Sequence, residues 1–198
     1  MLIKSVKLKK KQQMNDGYIP EKENQHFQEI VNRLKKTSDW EQLKSFLIAY
    51  SKKYPKEYYI FTELSSLYYK EENHTDALLS SEKAMRIEPK DVLVLYNYGM
   101  ALFLNDKFDE AVAQFNYIRK KSLSSIAYGR HGEGIKWAQS LINDSVYMAG
   151  VSYMEKGNYQ QAKRLIQKHL LQRKRGIYSD FTKQQVMSRL NSLLKHSD

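Results

Sequence analysis

The chain has 198 residues, of which 41% are hydrophobic and 12% are aromatic. This is enough apolar surface to form a core, so the composition excludes wholesale disorder. The absence of Cys excludes disulfide bonds, a Cys nucleophile and thiolate metal sites. No apolar run reaches the roughly 18 residues of a membrane span, and no secretory signal follows Met1, so we expect a cytoplasmic protein.

Basic residues are concentrated in two short segments. Residues 1–14 contain five Lys, residues 161–175 contain six Lys or Arg, and neither segment contains Asp or Glu. These residues account for the net charge of +11, so the rest of the chain is balanced. The first segment runs on into a polar stretch with Asn, Asp and Gly, and we expect residues 1–23 to form a flexible basic arm.

A period of 34 residues follows the arm. Pro55 and Pro89 lie 34 positions apart, and so do Ala77 and Ala111. Because Gly and Pro are few and apolar residues recur three and four positions apart, the pattern predicts paired helices in every period. It divides the chain into repeats at residues 24–57, 58–91, 92–125 and, after an insertion at 126–142, 143–176.

The signature positions of these repeats resemble those of the tetratricopeptide repeat. In the second repeat they hold Phe61, Leu64, Ser65, Tyr68, Ala77, Ser81, Ala84 and Pro89. The polar turn of each repeat is followed by an aromatic residue or His at one shared position, which holds Trp40, His74, Phe108 and Tyr159. The resemblance implies an all-α, right-handed solenoid of about four 34-residue helix-turn-helix repeats, covering residues 24–179.

Two further helices are predicted outside the regular pattern. Apolar spacing continues without a breaker from Glu133 to Met154, which predicts one long helix of about 33 Å. Residues 180–198 are expected to form a C-terminal helix that caps the last repeat. Its apolar face is predicted to contain Val186, Met187, Leu190, Leu193 and Leu194.

The resemblance also implies a concave binding face, which in this family is lined by the first helix of each repeat. Several residues at those positions here are aromatic or Met, and other residues already fill the core positions. We therefore expect these side chains to bind a partner, with an Asn hydrogen-bonding its backbone. The predicted contacts are Tyr59, Tyr69, Leu93, Tyr96, Asn97, Met100, Phe103, Tyr147, Met148, Val151 and Met154. A secondary contact is predicted at Arg130, His131, Lys136 and Trp137.

The predicted function is non-catalytic protein–protein interaction, as an adaptor or assembly chaperone that holds an extended or helical segment. One alternative is that the insertion, the arm or a second copy fills the concave face. Another is a nucleic-acid-associated module that uses the basic segments 1–14 and 161–175, with Tyr178 and Phe181 stacking on bases.

Other function classes lack their motifs. The glycines at residues 129–134 do not match the spacing of a nucleotide-binding loop, and no hydrolase signature occurs. The five His residues are too scattered for a metal site, so we expect no metal, no cofactor and no enzyme activity. Some tetratricopeptide proteins grip chaperone C-terminal tails with a carboxylate clamp. Only one of five clamp positions matches here, so such tails are not expected as partners.

Overall fold

A computed structural model of the chain describes residues 17–129 and 132–195. The predicted contacts Arg130 and His131 and the basic segment 1–14 lie outside these residues. Within the described residues there are ten α-helices and no β-strand. The helices are α1 (Glu21–Lys36), α2 (Trp40–Lys53), α3 (Tyr58–Lys70), α4 (His74–Ile87), α5 (Val92–Leu104), α6 (Phe108–Lys120), α7 (Leu123–Ala127), α8 (Ile135–Glu155), α9 (Tyr159–Lys174) and α10 (Lys183–Lys195). No helix in this part of the chain combines the length and apolarity that crossing a bilayer requires.

The turns inside the four repeats share one backbone conformation. Ser38, Glu72, Asp106 and Gly157 follow the first helix of each repeat, with positive φ angles of 56°, 58°, 58° and 75°. A residue in this left-handed conformation reverses the chain after a helix, and only one of the four is glycine. Three of the second helices then begin at a side-chain cap. The side-chain oxygen of Asp39, Asn73 or Asn158 accepts a hydrogen bond from the backbone N–H three residues later, at 3.2 Å in each case. The fourth repeat is therefore in register with the other three.

Contacts between Cα atoms divide the chain into two compact units, Met1–Pro89 and Lys90–Asp198. The N-terminal unit contains α1 to α4. Its core between α1 and α2 includes the fully buried Phe27, Leu43 and Leu47. Between α3 and α4, the Ser65 hydroxyl donates a hydrogen bond to the carbonyl of Ala77 at 2.9 Å, which joins two signature positions.

The C-terminal unit contains α5 to α10, and its central element is α8. The predicted long helix is confirmed, because α8 runs uninterrupted for 21 residues and packs against α6, α7 and α9. Small residues let the paired helices approach closely, as expected. A Cβ added at Gly99 would lie 2.9 Å from the Phe115 ring, and one at Gly150 would lie 3.0 Å from the side chain of Ile166.

The C-terminal helix α10 packs against α9, as predicted for a cap. Val186, Leu190 and Leu193 are its buried residues. Met187 and Leu194 were predicted on the same apolar face, but both remain exposed. The buried stripe is thus narrower than the sequence pattern indicates, because α9 covers only part of the helix surface.

Candidate partner-binding surfaces

Helix α5 carries no charged residue anywhere between Val92 and Leu104. It begins at Asp91, whose carboxylate accepts the backbone N–H groups of Leu93 and Val94 at 2.8 and 3.0 Å. One side of the helix packs against α6 in the C-terminal unit. The residues buried there are Val94, Leu95, Gly99, Ala101 and Leu102.

The other side of α5 is apolar but only partly covered. Leu93 is 38% exposed, and the other four predicted contacts on this helix are half-buried. At 100° per residue, all five fall within about 120° of the helix circumference, so they form one stripe. We call this stripe the α5 face: Leu93, Tyr96, Asn97, Met100 and Phe103.

Two aromatic rings of the α5 face are held from behind by α6. The Tyr96 ring meets Phe115 edge-on with centroids 5.7 Å apart. The Phe103 ring lies 5.6 Å from that of Phe108. Such aromatic contacts restrict the rotamers of both side chains before any partner arrives, which reduces the entropy lost on binding.

The predicted contacts on α8 are mostly part of the core. Tyr147, Met148 and Val151 are each almost completely buried, so the expectation that they line an open surface is wrong. Met154 is half-buried near the end of the helix. The difference arises because α8 is surrounded by α6, α7 and α9, and the chain after α9 also folds onto it.

Residues 179–189 of the chain contact this side of α8. The Phe181 ring packs on Tyr147 with centroids 4.6 Å apart. The backbone N–H of Asp180 donates to the Asp144 carboxylate at 3.0 Å, and Arg189 pairs with Glu155 at 3.1 Å. The sequence left open that the arm, the insertion or a second copy fills the concave face. In the structure it is the C-terminal segment that covers the α8 portion of that face.

A buried polar cluster lies beside this contact. The carbonyl of Asn143 and Nδ1 of His169 lie within hydrogen-bonding distance at 3.0 Å, and the His169 ring lies 5.1 Å from Tyr147. Burial raises the pKa of Asp144 to about 6, against hydrogen bonds from Ser179 and Asp180 that favour its charged form. Burial likewise lowers the pKa of His169. The sequence pattern did not predict this cluster. Its signal in the sequence is His169, a polar residue at a repeat position that is usually apolar.

In the N-terminal unit, two predicted contacts lie on α3. Tyr59 is half-buried and meets Phe27 edge-on at 6.3 Å. Burial, and secondarily the nearby Glu63 carboxylate, raise the pKa of the Tyr59 hydroxyl, which therefore stays protonated. Glu63 also pairs with Lys35 of α1 at 2.6 Å. Tyr69 lies in the last turn of α3 and is half exposed.

The predicted secondary contact is described only in part. Lys136 is exposed and Trp137 is half-buried, both in the first turn of α8. The helix begins after Gly134, whose φ of 92° belongs to the left-handed region. No group of three or more His, Asp or Glu residues suited to a metal ion occurs in the described part of the chain.

The basic segment 161–175 lies along α9 and just beyond it. Arg164, Lys168 and Lys174 are exposed, and none of them pairs with an acidic side chain among residues 17–129 and 132–195. Tyr178 is 69% exposed. Phe181 packs on Tyr147, so the expectation that it stacks on bases together with Tyr178 is not supported by its position.

Comparison with known proteins identifies the fold. No protein-family model matches the chain, and neither does any curated protein. A MamA RS-1 ArsTM double mutant matches 88% of this chain and 96% of its own, with a TM-score of 0.57 and 13% identity. The YrrB crystal structure, described as a TPR protein with an unusual peptide-binding site, has a TM-score of 0.42 and 17% identity over 71% and 81% of the two chains. A tetratricopeptide repeat protein from Parabacteroides merdae has a TM-score of 0.43 and 15% identity over 74% and 65%. The MamA similarity and the in-register helix pairs together show that this chain has the all-α solenoid fold of tetratricopeptide repeat proteins.

Proposed function

We propose that the protein is a non-catalytic protein–protein interaction module, an adaptor or assembly chaperone, whose α5 face binds an extended or helical segment of a partner. The observation that carries this proposal is the absence of any charge on α5, combined with a partly exposed apolar stripe. A helix that has no charged residue on any side is normally covered on every side. Partner side chains would supply the missing cover.

The chemistry of the α5 face suits a mixed apolar and backbone contact. Each partner side chain of Leu or Phe size that is fully buried there contributes roughly 1.5–3 kcal/mol. Tyr96 and Phe103 provide rings already positioned by α6, and Met100 adapts its shape to the partner. The Asn97 amide can donate to and accept from a partner backbone. Tyr59 and Tyr69 are proposed as further contacts on α3.

Site-specific photo-crosslinking tests this proposal. A benzoylphenylalanine residue at position 93 should crosslink a partner protein in cells, because Leu93 lies in the α5 face and is 38% exposed. The same residue at position 79 is the matched control, since Leu79 is 51% exposed but lies on α4. Equal products from both positions, or none from position 93, would contradict the proposal.

A double variant adds a second test of the same face. Leu93→Ser/Met100→Ser should keep its helical circular dichroism, because both side chains are partly exposed. In a pull-down performed with nuclease, this variant should also fail to retain the partner that the crosslinking experiment identified. A partner retained by this variant would bind elsewhere on the molecule.

The basic surface of α9 supports a second candidate, a nucleic-acid-associated module. Arg164, Lys168 and Lys174 are exposed without an acidic partner among the described residues, and Tyr178, four positions after Lys174, exposes 69% of its surface for stacking on a base. Titration with a single-stranded oligonucleotide at several salt concentrations tests this candidate. Phosphate contacts predict an affinity that falls steeply with salt, and no binding at low salt would exclude the candidate.

A further inference from the structure

A groove of about 670 Å³ runs between α9 and α10 in the C-terminal unit. Its apolar lining consists of Leu170 and Leu171 from α9 and of Met187 and Leu190 from α10. Leu171 is 48% exposed and Met187 37%, so the apolar floor is open. The groove is distinct from the α5 face because no α5 residue lines it.

Cations line the same groove. Arg173, Lys174 and Lys183 lie along it, and no acidic residue does. The guanidinium of Arg173 donates to the backbone carbonyl of Phe181, which holds it at the edge. Lys174 and Lys183 are exposed and have no acidic partner in the part of the chain that the structure describes. The groove therefore combines an apolar floor with two lysines that no acidic side chain of the described residues pairs with.

We propose that the α9–α10 groove binds an acidic amphipathic helix of a partner protein. Apolar side chains of that helix would rest on Leu171 and Met187, and its carboxylates would pair with Lys174 and Lys183. The α10 side of the groove extends from Lys183 to Leu190, about 10 Å along the helix axis, which is the length of two turns of a bound helix. This inference goes beyond the proposed function and does not depend on it.

The groove chemistry favours this occupant over others. Residues 1–14 of the same chain carry five Lys and no acid, so like charges oppose their entry. Single-stranded nucleic acid binds through aromatic stacking as well as charge, and no aromatic residue is among the described residues that line this groove. A bilayer surface is contacted by a protruding apolar face, whereas this one is recessed.

Fluorescence anisotropy with the full chain tests the proposal. The probe is a labelled helical peptide of about 15 residues, with Leu at helical spacing on one face and Glu on the other. A scrambled peptide of equal charge is its control. We expect the amphipathic peptide to bind, and Lys174→Glu/Lys183→Glu to weaken its affinity about tenfold or more. Leu171→Ser/Met187→Ser should weaken it similarly, because both side chains would contact the peptide.

Arg164→Glu/Lys168→Glu is the matched control variant. Both residues are exposed on α9 and lie outside the groove, and the change in net charge is the same. The control should bind the peptide within about threefold of the wild type. Equal weakening by both charge-reversal variants would overturn the proposal, since it would indicate long-range attraction alone.

Further outcomes decide between occupants. No peptide binding, equal binding of the scrambled peptide, or tighter binding of a single-stranded oligonucleotide or an anionic vesicle would each overturn the proposal. A dimer that the groove variants dissociate would assign the groove to a second copy instead. Peptide binding lost by Leu93→Ser/Met100→Ser but kept by the groove variants would place the peptide on the α5 face. That result would overturn this inference and leave the proposed function standing.

Discussion

The buried carboxyl group of Asp144 predicts that Asp144→Asn stabilises the C-terminal unit, increasingly so as the pH rises. Asp144 is only 2% exposed. One of its oxygens accepts the Asp180 N–H at 3.0 Å, while the other has no hydrogen-bond partner among the described residues. An Asn side chain can keep the first contact without burying a charge, so the pH-dependent part of the stability difference isolates the titration of Asp144.

The magnitude follows from the pKa of Asp144, which is about 6 in the folded protein and 3.8 in its ordinary state. Between these values the folded state holds a proton that the unfolded state has released. The stabilisation from this group is therefore complete below the unfolded pKa, near 4, and is lost as the pH rises through 6. At 1.36 kcal/mol per unit, the loss amounts to about 3 kcal/mol. The free energy of unfolding of Asp144→Asn should gain that amount over wild type.

Tryptophan fluorescence isolates the unit of interest. The protein has two Trp residues, Trp40 in the N-terminal unit and Trp137 in the C-terminal unit. In a Trp40→Phe background, urea unfolding followed by Trp137 fluorescence reports the C-terminal unit. Measurements from about pH 4 to pH 7 cover the expected window. Glu110→Gln, which changes an exposed acidic residue of the same unit that does not contact Asp144, serves as the control.

A difference between Asp144→Asn and its parent that stays constant over this pH range would refute the reasoning. The lowered pKa of His169 works in the opposite direction, because the unfolded state gains a proton there as the pH falls. Both proteins contain His169, so its contribution cancels in the comparison. A pH-dependent difference of equal size in Glu110→Gln would likewise show that Asp144 is not the source.

Three further predictions concern stability. Gly99→Ala should lower the free energy of unfolding by about 1–2 kcal/mol in urea titrations. Its Cβ would lie 2.9 Å from the Phe115 ring, and this overpacking exceeds the helix-propensity gain; an unchanged midpoint would contradict the close approach. Asp106→Gly should raise the melting temperature and the free energy of unfolding, the latter by about 0.5 kcal/mol, because glycine adopts a φ of 58° without strain. A lower melting temperature would argue against strain at this turn. Lys35→Met should lower stability by about 0.5–1 kcal/mol by breaking its pair with Glu63, and high salt should reduce that loss; a salt-independent loss would point to packing instead.

The repeat architecture could be predicted from the sequence because its determinants are local. Helix periodicity and turn composition depend on residues within a few positions of one another. The turns at Ser38, Glu72 and Asp106 adopt one conformation at intervals of 34 residues, as the period predicts. Gly99 and Gly150 likewise marked the close helix contacts, since a larger side chain would not fit there.

The candidate site depended on contacts between residues far apart in the chain. Tyr96 and Tyr147 occupy the same position of their repeats. The structure nevertheless leaves Tyr96 partly exposed and buries Tyr147. The cover over Tyr147 comes from Phe181, which lies 34 residues later and outside the repeat pattern. A period describes which way a side chain points within its own helix, but does not describe what else reaches that side.

The sequence alone determined the number of helix pairs, their turns and the long α8, because hydrogen bonding and side-chain spacing within a helix are short-range properties. The tertiary structure decided which apolar stripes remain open, since burial depends on every segment that folds onto a surface. The groove beside Lys174 illustrates the difference. Its charge is visible in the chain, but its apolar floor exists only where α10 packs against α9.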